Sequence, residues 1–104
     1  MDLAKVAAAL ADPVRISIIR LLANPPEQPA CSPPDGIAAD GVCVCEFSQH
    51  LRISQPRASY HLRILKEAGL VTERPKGKWT YYAIEPDQIV DLCRCLKMAA
   101  GVRE

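Results

Sequence analysis

Mostly helix, with one β-hairpin towards the C-terminal end, is the fold class this 104-residue sequence predicts. Three observations carry it. Apolar residues recur at helical spacing in successive segments marked off by cap and stop signals. Two of those segments, about 42–51 and 54–68, are separated only by Arg52-Ile53, the short link of a helix-turn-helix. Beyond them, strand-like stretches flank Pro75-Lys76-Gly77-Lys78, a turn composition that reads as a hairpin.

Taken in order, Leu3, Val6, Ala7 and Leu10 fall on one face of a first short helix. Asp12-Pro13 then supplies an N-cap and a first-turn proline for a second helix through Val14, Ile18, Leu21 and Leu22, with Arg15 and Arg20 expected to point outward. Residues 24–41 hold Pro25, Pro26, Pro29, Pro33 and Pro34, two glycines and Cys31. A loop of that length in a small domain is usually functional or mobile. A third helix is expected over Val42–Leu51 and a fourth over Ser54–Ala68, with Ser54 as N-cap and Gly69 as the stop. Leu70–Arg74 and Trp79–Ile84 are the hairpin strands, the wing spanning 70–84 with a basic tip. Asp87–Ala100 closes the chain as an amphipathic helix with Ile89, Leu92, Cys93 and Leu96 on one stripe. Helix-turn-helix (42–68), hairpin and closing helix (87–100) together describe one winged helix-turn-helix domain over 1–104. A domain of this size gains from dimerisation.

Overall charge says little, with 13 basic against 12 acidic residues, but its distribution does. Between residues 52 and 78 there are seven basic and two acidic side chains, the footprint of a phosphate-binding surface. No apolar run approaches the roughly 20 residues that span a bilayer, so no membrane partner is expected. Met1-Asp2-Leu3-Ala4-Lys5 lacks the basic start and apolar centre of a secretory signal. Five cysteines without such a signal point to reduced thiols in a cytoplasmic protein, used for metal or redox chemistry.

On a wheel of about 100° per residue, Ala58, His61, Leu62 and Leu65 of the fourth helix face the core. Pro56, Arg57, Ser59, Tyr60 and Arg63 face away, with Ser54 and Gln55 at the N-terminal end. Such groups hydrogen-bond base edges in the major groove of double-stranded DNA, where recognition helices present their N-terminal residues. Lys76 and Lys78 suit phosphate or minor-groove contact, which fixes register and carries little sequence information. His61 is expected to be a satisfied, half-buried histidine and not a ligand.

Cys43-Val44-Cys45 opens the third helix. On a regular helix, residues i and i+2 point roughly 200° apart, so one ion held by both sulfurs should distort that turn and move the helix behind it. The helix N-terminus favours thiolate over thiol. Thiolates select As(III), Sb(III), Cd(II), Pb(II) or Cu(I) over hard ions. A structural zinc module would use Cys-x2–4-Cys pairs, and a thioredoxin-like enzyme Cys-x-x-Cys in a βαβ setting; the cysteine pairs here are Cys-x-Cys. A disulfide-forming redox sensor on the same fold is the stronger rival. With no nucleophile–base pair or phosphate-binding glycine loop, no catalytic activity is expected.

The block Ile53-Ser54-Gln55-Pro56-Arg57-Ala58-Ser59-Tyr60-His61-Leu62 runs on into Leu65-Lys66-Glu67-Ala68-Gly69-Leu70-Val71 and Gly77-Lys78-Trp79-Thr80-Tyr81-Tyr82. Together with Leu10-Ala11-Asp12-Pro13-Val14-Arg15 and Cys43-Val44-Cys45-Glu46, it resembles the arsenic-responsive, or ArsR/SmtB, family of repressors over nearly the whole chain outside the Pro-rich loop. The resemblance implies a homodimeric winged helix that binds an inverted-repeat operator when metal-free and leaves it when metal binds. It implies too that the first and last helices form the dimer interface. Where the arsenic repressors have a third cysteine, three residues after the pair, this sequence has Ser48. A third sulfur would come from Cys31, or from Cys93 and Cys95 on the last helix. Zinc-sensing relatives use carboxylates and histidines on that helix, which here has Asp87 and Asp91 but no histidine. As(III) or Sb(III) is therefore the first expectation for the inducer and Cd(II) or Pb(II) the second, with methylated arsenicals a further candidate and no organic cofactor.

Overall fold

The computed structural model describes residues 1–26 and 41–103. Within them the elements run α1 (Leu3–Leu10), α2 (Pro13–Ala23), β1 (Val42–Cys43), α3 (Val44–Leu51), α4 (Gln55–Glu67), β2 (Val71–Lys76), β3 (Trp79–Ile84) and α5 (Pro86–Ala100). The architecture is a winged helix-turn-helix.

The helix starts follow from their caps. Asp12 Oδ1 accepts from the amides of Val14 and Arg15 at 2.8 and 3.3 Å, with Pro13 in the first turn where no amide is needed. Ser54 Oγ accepts from the Arg57 amide at 3.2 Å. At the other end of α4, Gly69 takes a φ of +79° and the Leu70 amide returns to the Leu65 carbonyl at 3.0 Å. The turn of the helix-turn-helix is less expected: Arg52 adopts φ 55°, ψ 47°, a left-handed conformation that usually falls to glycine. The Ile53 amide reaches back to the Ser48 carbonyl at 3.2 Å, closing α3.

Three antiparallel strands in the order β1-β3-β2 make the sheet. The wing hairpin keeps pairing out to Lys76 opposite Trp79, so its loop is the two residues Gly77-Lys78 and not the four expected. Gly77 has a φ of +62° at the first central position, as a type II′ turn requires. Pro75 sits opposite Thr80 in the edge strand β2, where a missing amide is tolerated.

The third strand was not expected. Val42 and Cys43 pair with Tyr82 and Tyr81, so the helix predicted to begin at Val42 begins at Val44. Two residues carry no periodicity; this strand exists because β3 offers it an edge. Its approach depends on Gly41, whose φ is +113° and where a Cβ would collide with the Tyr82 carbonyl.

The main core gathers Ile18, Phe47, Leu62, Leu65 and Leu70, all fully buried. Strand β3 divides its side chains by the alternation of a pleated strand. Tyr82 enters the main core edge-on to Phe47, with ring centroids 6.4 Å apart. Tyr81, from the other face, joins Cys43 and Cys45 in a separate buried cluster, against which Trp79 packs. Helix α5 has no fully buried residue among those described. Ile89 and Leu92 lean on the core, while Val90, Leu96 and Met98 stay exposed. Among the described residues no helix is long and apolar enough to cross a membrane.

Candidate metal centre and nucleic-acid interface

Helix α4 has two chemically different faces. Ala58, His61, Leu62 and Leu65 are buried, whereas Ser54, Gln55, Arg57, Ser59, Tyr60 and Arg63 are exposed. The Arg63 guanidinium lies 5.9 Å from the centre of the Tyr60 ring, so the two project as a unit. Lys76 and Lys78 are exposed at the wing. Lys66, by contrast, is ion-paired with Glu73 Oε2 at 2.8 Å; it ties α4 to β2, and its pKa is raised by the Glu73 hydrogen bond and charge.

The buried face of α4 is keyed to the N-terminal helices through one contact. Arg15, expected to point outward, instead donates from Nε to the Ala9 carbonyl at 2.6 Å and contacts His61 Nδ1 through Nη1 at 3.0 Å. A guanidinium only donates, so His61 Nδ1 accepts and the neutral ring carries its proton on Nε2. Burial pushes the His61 pKa below 6.5; Asp12 opposes that, and the nearby charges of Arg15 and Arg57 add to it. The histidine is thus a satisfied core group linking α1, α2 and α4.

Cys43 and Cys45 meet where β1 becomes α3. Cys43 is both the last strand residue and the helix N-cap, with φ −82° and ψ 159°. Because its backbone is extended, the 200° separation of a regular helix does not apply, and the two sulfurs lie 2.7 Å apart. The expectation that one ion could join them only by distorting a helical turn is therefore corrected: strand pairing has already turned Cys43 inward. An ion would be held by the two sulfurs as thiolates, the form in which cysteine binds metals.

A third donor, which sequence reasoning had not picked out as a ligand, completes the group. Glu46 is buried at 4% exposure, and a ligand atom from each of Cys43, Cys45 and Glu46 lies within 4.8 Å of the others. His50 Nε2 sits behind it, 3.3 Å from Glu46 Oε2. The signal was present in the spacing: N-cap, N2 and N3 of one helix share its first turn, where negative charge is favoured. Ser48, standing in the place of a third cysteine, has its hydroxyl donating to the Ile53 carbonyl at 2.6 Å. Cys93 and Cys95 are free thiols on α5, the first exposed and the second half-buried. Among the described residues they join no cluster of three candidate ligands. Cys31 lies outside the described residues.

Residues 41–73 match the signature of the bacterial regulatory protein arsR family. Over 91 residues the chain is 33% identical to an uncharacterised HTH-type transcriptional regulator of Methanocaldococcus jannaschii, covering 88% of this chain and 86% of that one. The chain belongs to the arsR family of transcriptional regulators. Family and fold are those of DNA-binding regulators and not of enzymes. This ArsR-family regulator is also 36% identical over 77 residues to the arsenical resistance operon repressor of Escherichia coli, covering 74% of this chain and 54% of that repressor. It thus spans about half the length of that relative. In structure it is similar to the homodimeric winged helix-turn-helix DNA-binding domain of a possible ArsR-family regulator from Mycobacterium bovis. The TM-score is 0.63 and the identity 27%, with 97% of this chain and 81% of that one covered.

Proposed function

We propose that this ArsR-family regulator is a homodimeric repressor that releases operator DNA when a soft ion, As(III) or Sb(III) first, is taken up by the reduced sulfurs of Cys43 and Cys45. The observation that carries the reading is the pair of buried sulfurs 2.7 Å apart at the start of α3, the helix packed against α4. Bound zinc sits about 2.3 Å from each thiolate, which spaces two tetrahedral sulfurs roughly 3.8 Å apart. A soft ion of similar bond length needs these two to part by only about an ångström. The arsenical repressor among its relatives supports the choice of ion.

DNA is held by Gln55, Arg57, Ser59, Tyr60 and Arg63 at base edges, with Ser54 at the helix start and Lys76 and Lys78 on the backbone. The exposed apolar groups of α5, Val90, Leu96 and Met98, support dimerisation through that helix. Cys31 is proposed as the third ligand, with Cys93 and Cys95 as alternatives. The buried Glu46 carboxylate is the specific feature favouring Cd(II) or Pb(II), which accept oxygen more readily than arsenic does.

The test is binding of reduced protein to a duplex selected from a random pool, titrated with As(III), Sb(III), Cd(II), Pb(II) and Zn(II). Uptake by the sulfurs should lower DNA affinity about 5- to 150-fold, and Cys43→Ser or Cys45→Ser should abolish the effect. Cys31→Ser and the Cys93/Cys95 double Ser variant identify the third sulfur. The same pair of close sulfurs supports a second reading, a thiol-redox sensor that forms a disulfide in place of an ion site. In that case anaerobic arsenite leaves the protein on DNA, and oxidation releases it.

A further inference from the structure

Cys43 pairs with Tyr81 across the sheet, and Trp79, two residues earlier on the same face of β3, packs against the cluster of Cys43, Cys45 and Tyr81. The indole also meets the wing tip: Lys78 Nζ lies 5.9 Å from the ring centre. From Arg74 to Lys78 every residue is exposed. Trp79 is therefore the side chain nearest the tip that anchors the wing to the body.

The cluster has little room. Cys43, Cys45 and Tyr81 are 3%, 8% and 3% exposed, and among the described residues the hydrophobic group packed on them that is partly open to solvent is Trp79. Cys43 is fixed by its pairing with β3, and Cys45 by α3, whose Phe47 is fully buried in the main core. Among the described neighbours of the cluster, the partly exposed indole is the group with room to yield when the sulfurs separate to share an ion. Close-packed interiors transmit such displacements instead of absorbing them.

We propose that Trp79 is a positioning residue that relays the state of the sulfur pair to the wing tip, so that ion uptake re-aims Lys78 and Lys76 away from the DNA backbone. This rests on the reading of the chain as an ion-responsive DNA-binding protein. It assigns most of the loss of DNA affinity to a route through β3 that does not pass through the recognition helix. Lost phosphate contacts weaken binding to all sequences alike and flatten its salt dependence by about one unit of slope per contact.

The chain has a single tryptophan, so its fluorescence reports on this position alone. Reduced wild-type, Trp79→Ala and Trp79→Phe proteins would be loaded with arsenite or Cd(II), and bound ion measured by equilibrium dialysis. DNA binding by each would be followed at several salt concentrations. Wild type should show an emission change that saturates with bound ion, and a shallower salt slope when loaded. Trp79→Ala should bind the same amount of ion yet lose less than about twofold in DNA affinity on loading, where wild type loses at least about fivefold. Trp79→Phe should recover most of the wild-type response. The relay is overturned if Trp79→Ala binds ion and leaves DNA as wild type does, or if ion fills the Cys43–Cys45 site without altering indole emission. Failure of wild type to bind either ion, or to respond to it on DNA, overturns the ion-sensing reading itself and the relay with it.

Discussion

His61 illustrates how one side chain can be legible by type and illegible by partner. Its place on the wheel gave its burial; its partner, Arg15, comes from a helix that periodicity alone had turned outward. Because the folded protein holds His61 neutral below the ordinary 6.5, the unfolded chain binds the proton more readily. Stability from this group is then fully present above 6.5 and is lost as pH falls from there towards the folded-state value. Urea midpoints measured from pH 7.5 down to 5 should fall through this window, and His61→Gln, which can still accept from Arg15, should flatten that fall. The Asp12 carboxyl does not confuse the measurement. Burial opposes ionisation there, but the Val14 and Arg15 amides and the Arg15 charge outweigh it and lower the pKa below 3.8, so its loss belongs to a lower pH range. At the candidate centre, Glu46→Gln should weaken Cd(II) binding by at least about tenfold while changing arsenite binding much less, measured by competition with a chromophoric chelator.

At the scale of elements, two turns set the geometry around the sulfurs and the recognition helix. Gly41 lets the chain approach β3, and Gly41→Ala meets both a left-handed φ and the Tyr82 carbonyl. It should destabilise the fold by at least about 1–2 kcal/mol and weaken ion uptake in parallel, since Cys43 owes its orientation to the strand that follows. Arg52 makes the opposite case. Its left-handed backbone carries a penalty of about 1–2 kcal/mol, partly offset by the entropy glycine would lose. Arg52→Gly should therefore raise the stability of the DNA-free protein by about 0.5–1 kcal/mol in denaturant titration.

At the scale of the whole molecule, α5 presents Val90 and Leu96 at 55% and 56% exposure on a helix with no buried residue among those described. A second copy laid against it would remove that apolar surface from water, at about 1.5–3 kcal/mol per side chain. Replacing both residues with Glu should leave the monomer folded and raise the dimer dissociation constant by about 100-fold or more. Sedimentation velocity would read the shift, and DNA affinity should fall with it, because two recognition helices on an inverted repeat act together.

Periodicity, caps and turn residues are local, and from them the sequence by itself determined the helices, the helix-turn-helix, the wing and the two faces of α4. Ser54, Gly69 and Asp12 act within a turn or two of where they stand, so their roles could be read without knowing what lay opposite. What only the tertiary structure decided involves partners distant in the chain. Val42–Cys43 is a strand because Tyr81 and Tyr82 are paired with it, and that pairing, not the helix, brings the two sulfurs together. Glu46 joins them because the same junction makes Cys43 a cap. Trp79 touches the site because β3 sends alternate side chains to opposite faces, one to the core and the other to the cysteines.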